Sequence, residues 1–254
     1  MVAQSSLTIT VTKGHGTAND FVLFLDPEDA LNLSPAQYRQ LADRHRGVGG
    51  DGVIRVARTA ASPEVAHLLE VEPEAQWFMD YRNADGSVAE MCGNGVRVFV
   101  EYLLTEGLVT MDSGQTLPIA TRAGVVDVTK SQSGLYQADM GRWSLTGLNP
   151  IVKARGLDVP RPSLAITCPN PHVVVALASA KELEELDLST RPELDPEPPQ
   201  GANIEFVVPS DPLVVDGVGH IRMRVYERGV GETQSCGTGA LALSLIHISE
   251  PTRL

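Results

Sequence analysis

One four-residue pattern occurs twice in this chain, as Cys92-Gly93-Asn94-Gly95 and as Cys236-Gly237-Thr238-Gly239. Each copy leads from a polar, extended segment into an apolar run. Behind the first, Val96, Phe99, Val100, Leu103 and Leu104 recur at helical spacing, with Gly107 as a stop; behind the second, Ala240 to Leu243 is continuous. The chain must therefore turn from strand into helix at each cysteine. A helix start gathers unpaired N–H groups and the positive end of the dipole, which favours thiolate over thiol and binds anions such as carboxylate. The glycines let the backbone approach a ligand closely. Two starts made alike point to two thiols serving one small anionic substrate.

The rest of the chain supplies strands. Leu7, Ile9 and Val11 alternate with threonines as a first strand, followed by a polar turn at Gly14 to Asp20 and a second strand at Phe21 to Leu25. Ser34-Pro35 caps and opens a helix that Gly47 can end. Strands are expected at Val53 to Ala57, Trp77 to Tyr81, Gly124 to Thr129, Leu135 to Met140, Ala165 to Thr167, Val173 to Ala176, Asn203 to Val208 and Ile221 to Tyr226. A short helix is expected at Ala180 to Leu186, and loops at 60–76 and 187–202. Each half thus runs through several strands to a Cys-Gly-x-Gly helix. The expected architecture is α+β, with similar lobes over residues 1–120 and 121–243 and one of the two cysteines in each. Residues 244–254 (SLIHISEPTRL) break the pattern and read as a non-native tail.

Twenty basic against 32 acidic residues, a net charge of −12, argue against nucleic-acid binding. No apolar run reaches membrane-spanning length, and MVAQSSLTITVT has neither the basic nor the apolar stretch of a secretory leader. Three cysteines, an odd number, do not make a disulfide framework, so a reducing cytoplasm is expected.

Inverting a carbon next to a carboxylate takes a base on one face and an acid on the other. A thiolate and a thiol suit this, with the backbone N–H groups of Gly93, Asn94, Gly237 and Thr238 placed to hold the developing charge. A structural disulfide or a metal site is the alternative for such a pair. Zinc is disfavoured by the lack of a Cys-x-x-Cys pair and of closely spaced histidines. Cys168, without glycines or helix, reads as packing. The Gly47–Gly52 loop lacks the Lys-Ser/Thr of a phosphate cradle, and Lys13, Lys130, Lys153 and Lys181 have no context for a pyridoxal Schiff base. Arg228, just ahead of the second cysteine, can clamp a carboxylate bidentately.

The segments KGHGTANDF (13–21), ADRHRGVGGDGV (42–53), YRNADGSVAEMCGNGVR (81–97), NPH (170–172), GANIEF (201–206) and RVYERGVGETQSCGTGA (224–240) resemble diaminopimelate epimerases. The resemblance implies a cofactor-independent enzyme, without a metal, that interconverts LL- and meso-diaminopimelate in lysine and peptidoglycan precursor synthesis. It implies a homodimer of chains with two pseudo-symmetric lobes, each a curled, mostly antiparallel sheet around a central helix, and a site in the cleft. Cys92 and Cys236 match the catalytic pair. Gly93, Asn94, Gly237 and Thr238 match the groups holding the reacting carboxylate, and Asn19 and Glu227 those near the reacting amino group. Asn83, Asn170, Asn203 and Arg228 match residues that read the distal end, and His172 a neighbour of the site. Pro169 and Gly52 depart from the usual glycine and glutamine. Members continue past the second cysteine helix into further strands, so this chain is expected to be C-terminally truncated and less stable. The alternatives are a proline or hydroxyproline racemase, whose architecture is similar, and a binding remnant without turnover.

Overall fold

The computed structural model describes residues 8–216, 218–234 and 236–249. Two compact units account for the chain. The first comprises the residues up to Gly16, Asp20–Ala89 and Gly95–Gln137; the second comprises Thr17–Asn19, Glu90–Asn94 and the chain from Ala138 on.

In the first unit β1 (Thr12–Gly16), β2 (Asn19–Leu25), β3 (Gly52–Arg58), β4 (Trp77–Asn83), β5 (Thr116–Thr121), β6 (Gly124–Lys130) and β7 (Tyr136–Ala138) form one sheet in sequence order. A parallel neighbour requires a long crossover connection. α1 (Pro35–Ala42) crosses between β2 and β3, and α2 (Gly93–Thr105) between β4 and β5; both pairs are parallel. β3/β4 and β5/β6 are antiparallel, the latter through a tight turn at Arg122-Ala123. Val96, Phe99, Val100 and Leu103 of α2 are fully buried, as their spacing predicts. Gly107, with φ of 66°, ends the helix.

The second unit carries β8 (Ser144–Leu145), β9 (Ile151–Lys153), β10 (Arg161–Pro162), β11 (Leu164–Cys168), β12 (Asn170–Ala176), α3 (Ala180–Glu185), β13 (Glu193–Asp195), β14 (Asn203–Val215), β15 (Val218–Glu227), β16 (Gly231–Thr233) and α4 (Gly237–Ser249). Its main sheet has the order β16-β15-β14-β12-β11-β8, parallel only at β12/β14, which α3 joins; β10-β9-β13 form a small second sheet. Strand alternation splits the core. Ile166, Val174 and Val207 pack on Ala242 and Leu243 of α4, while Val173, Val175, Ile204 and Phe206 pack with Leu183 of α3.

The fold is thus α+β, and its repetition shows in the topology. β2 and β12 each begin with asparagine, share the same buried-residue pattern, and lead through a short helix into a parallel strand.

Several expectations change. The first strand is not at 7–11 but at Thr12–Gly16, running into the stretch read as a turn, and Leu7 lies outside the described residues. Glycine belongs in that strand because a Cβ on Gly14 would meet Val98 at 2.8 Å. Ile9 and Val11 instead pack beside Val22 and Phe24. A division near residue 120 would cut the β5/β6 ladder, so the first sheet extends to β7; the segment bearing Cys92 groups with the second unit. α1 stops at Ala42, and Gly47 closes the following turn, where a Cβ would lie 1.8 Å from the Gln40 carbonyl oxygen. The 187–202 loop holds β13. α4 runs to Ser249, past the expected end at Leu243, and 250–254 lie outside the described residues.

Candidate active site

Both cysteine motifs contribute to the second unit, and so does Asn19. Glycines bring the two helix starts together: a Cβ on Gly93 would lie 3.9 Å from Gly237 Cα, and one on Gly237 would lie 3.4 Å from Asn94 Oδ1. The Met140 side chain lies against the same point, 3.5 Å from the Cβ position of Gly93.

The first helix start is held by amides. Thr17 Oγ1 donates to Asn94 Oδ1 at 3.1 Å, and Asn94 Nδ2 donates to Asn19 Oδ1 at 3.3 Å. Cys92 Sγ, half-buried, lies 3.8 Å from the same Asn19 oxygen. Asn170 Nδ2 donates to the Met91 carbonyl at 2.8 Å, fixing the residue before the cysteine.

The second start is set differently. Cys236 is buried, with Thr238 Oγ1 at 3.4 Å from its sulfur and the Gly239 N–H donating to it at 3.3 Å. Desolvation by burial pushes this thiol well above its usual value. The charges of Glu227 and then Glu205 push the same way, against the Thr238 and Gly239 hydrogen bonds. At Cys236 burial and the two acids thus oppose the thiolate that a helix start favours. Thr233 donates its hydroxyl to Glu227.

Arg228 is held on three sides: its N–H donates to Asn203 Oδ1 at 2.9 Å, Nη1 to the Gln200 carbonyl at 3.0 Å, and Nη2 to Glu90 Oε2 at 2.5 Å. The carboxylate clamp foreseen from sequence already grips a carboxylate of the chain itself. Asn83 alone of the expected set belongs to the first unit, where its amide donates to Ser87 Oγ at 3.0 Å. At Gly52, in β3, a Cβ would meet the Tyr81 ring at 2.4 Å, which explains why no longer side chain stands there. Cys168 is fully buried, with its thiol pushed up by desolvation.

Sequence reasoning passed over Glu205 and Glu90. Glu205 has no exposed surface, and its Oε1 lies 2.7 Å from His172 Nδ1 on the neighbouring strand. The signal was a lone acid between Ile204 and Phe206 in a strand buried on both faces, a place acids rarely occupy without a partner. A ring nitrogen of His172, a Glu205 oxygen and Cys236 Sγ all lie within 4.8 Å of one another. Of these atoms His172 Nδ1 and Glu205 Oε1 are engaged with each other, at the 2.7 Å of a hydrogen bond.

The fold is of the racemase and epimerase kind. It matches a hydroxyproline epimerase from Agrobacterium vitis with a TM-score of 0.65 at 14% identity, over 96% of this chain and 78% of that one. It matches a probable proline racemase from Agrobacterium radiobacter K84 with a TM-score of 0.64 at 19% identity, over 97% and 79%. At such identity the likeness concerns fold alone. Within that class, the diaminopimelate epimerase family profile matches residues 11–146 and 164–250. The diaminopimelate epimerase of Streptomyces coelicolor is 46% identical over 94% of this chain and 78% of its own length; that of Thermobifida fusca is 46% identical over 91% and 80%. The chain belongs to the diaminopimelate epimerase family, a family of isomerases. No helix among the described residues is long and apolar enough to cross a membrane.

Proposed function

We propose that this chain epimerises diaminopimelate at one α-carbon without a cofactor, using Cys92 and Cys236 as a thiolate and thiol pair. The observation that carries the reading is the meeting of two Cys-Gly-x-Gly helix starts at Gly93 and Gly237. The thiolate takes the α-proton; the electron pair of the broken C–H bond moves onto the carboxylate. That charge is met by N–H groups of Gly93, Asn94, Gly237 and Thr238, which lie at the positive ends of the two helices. The opposite thiol returns a proton to the other face, and the stereocentre inverts. Burial and its acidic neighbours support Cys236 as the thiol of the resting state.

Asn19 and Glu227 are assigned to the reacting amino group, and Asn170, Asn203 and Arg228 to the distal end. An arginine so held suits a carboxylate better than a flexible lysine would. It favours a substrate with a second charged end over proline. Lysine and peptidoglycan precursor synthesis, a cytoplasmic setting and a homodimer complete the reading, and sedimentation velocity checks the last.

Incubation with diaminopimelate in D₂O tests the function. Deuterium should enter the α-carbon, with LL- and meso-forms interconverting and proline left unlabelled. Binding without exchange would overturn the proposal in favour of a non-catalytic ligand-binding chain.

A further inference from the structure

Glu205 occupies a position that needs an explanation. It sits in β14 beside β12, where His172 pairs in register with Asn203, and it shares a face with Asn203 two residues earlier. Its carboxylate fits only because residue 239 is glycine: a Cβ there would lie 2.6 Å from Oε1 and 3.0 Å from Cγ. The second glycine of the second motif thus has a task apart from ligand approach. It lets an acid lie against the first turn of α4, where the helix dipole favours negative charge. Oε1 is matched by His172 Nδ1, whereas Glu205 Oε2 and His172 Nε2 have no hydrogen-bond partner among the described residues. Buried polar groups left in this condition are rare in a folded core and are found at working sites.

We propose that Glu205 is a positioning residue that sets the resting proton inventory of the site, holding His172 as the Nδ1–H tautomer with Nε2 bare and Cys236 as the thiol, so that Cys236 enters the reaction as proton donor. An anionic carboxylate can only accept, so the proton of a neutral imidazole must be on the nitrogen facing it. The same charge, with that of Glu227, opposes a second negative charge on Cys236. The groups turned on the sulfur are therefore Glu205 from β14, His172 from β12, Glu227 from β15, and the Thr238 hydroxyl and Gly239 N–H from α4. The direction of asymmetry between the two cysteines rests on the function proposed above; the protonation states can be read without substrate.

The test uses the full chain carrying Cys92→Ala, which leaves Cys236 and the buried Cys168 as thiols. Alkylation of Cys236 by iodoacetamide, followed by peptide mass spectrometry, tracks the thiolate fraction with pH. Glu205→Gln keeps the shape and an acceptor for Nδ1–H but removes the charge. It should speed alkylation at neutral pH about tenfold, the effect of one pKa unit, and move the profile to lower pH. Glu205→Asp, which keeps the charge, should leave the profile nearly in place. A profile unmoved by Glu205→Gln, with Cys168 still unlabelled, overturns the proposal. If the substitution loosens the unit, Cys168 is labelled too, and ¹⁵N NMR of His172 in the unsubstituted chain decides: a proton on Nδ1 supports the proposal and one on Nε2 overturns it. A chain that shows the expected profile yet exchanges no α-hydrogen keeps this proposal and loses the functional one.

Discussion

Among the described residues two carboxylates, one in each unit, have no exposed surface, and the protein treats them in opposite ways. Asp80 in β4 is saturated: Arg55 Nε donates to Oδ2 at 2.8 Å, while Arg82 Nε and Arg122 Nη2 donate to Oδ1 at 2.9 and 2.6 Å. Desolvation alone would raise its pKa, but the three guanidinium groups outweigh it and hold Asp80 below the usual carboxylate range. Arg122 is tied in turn to Glu64 by two bonds of 2.8 Å. Glu205 has one histidine and, among the described residues, an oxygen without a hydrogen-bond partner. A buried charge that only holds structure is surrounded until nothing remains for a ligand. A buried charge left partly unmatched can still act on its neighbours.

The comparison breaks most readily at its extremes. Cys236→Ala or Cys92→Ala should lower α-hydrogen exchange by about 10² to 10⁴-fold, the scale of losing one acid–base group, with little change in the urea midpoint. Asp80→Ala should do the reverse. It strands buried arginines and should cost about 3–5 kcal/mol in urea unfolding, while turnover per folded molecule holds. Arg228 stands between the two regimes, since its partner Glu90 is partly exposed. Arg228→Lys should raise KM for diaminopimelate by about tenfold or more, as a lost charged hydrogen bond would, and shift stability by less than about 1 kcal/mol. The glycines sharpen the contrast further. Gly239→Ala drives a methyl into Glu205 and should cost about 1–3 kcal/mol. Gly237→Ala meets only ordinary contacts, the nearest at 3.4 Å, and should act on turnover more than on stability.

The smallest effect is one of pH. Because the folded-state pKa of Asp80 is depressed, its stabilisation is present above the unfolded value of about 3.9 and is lost as pH falls through the lower folded value. Acid melting curves should therefore steepen below about pH 4 in the wild type and flatten in Asp80→Asn.

Much of this could be read in the chain. The cysteine motifs, the apolar stripe of α2 and the stop at Gly107 all follow from local chemistry, because a helix start and end are decided by a few adjacent residues. β1 was hidden because Gly14 answers to Val98, far away in sequence, rather than to strand propensity. The expected division at 120 misses the β5/β6 ladder for a related reason: β5 carries no strand expectation, and β6 looks like the opening of a new series until the ladder joins both to the first sheet. Glu90 carries no signal of its own in the sequence, because the group it meets, Arg228, lies 138 residues further on.

The sequence by itself determined which atoms could do chemistry: two sulfurs at two helix starts, a set of asparagines, and one arginine beside the second motif. Local chain geometry suffices for that, since backbone direction at a glycine and N–H groups at a helix end need no distant partner. Only the tertiary structure decided how the two sulfurs differ. The same four-residue pattern stands beside Asn19 at Cys92 and beside Glu205, Glu227 and His172 at Cys236. A thiol's proton affinity depends on the charges and water around it in space, which the order of residues along the chain does not specify.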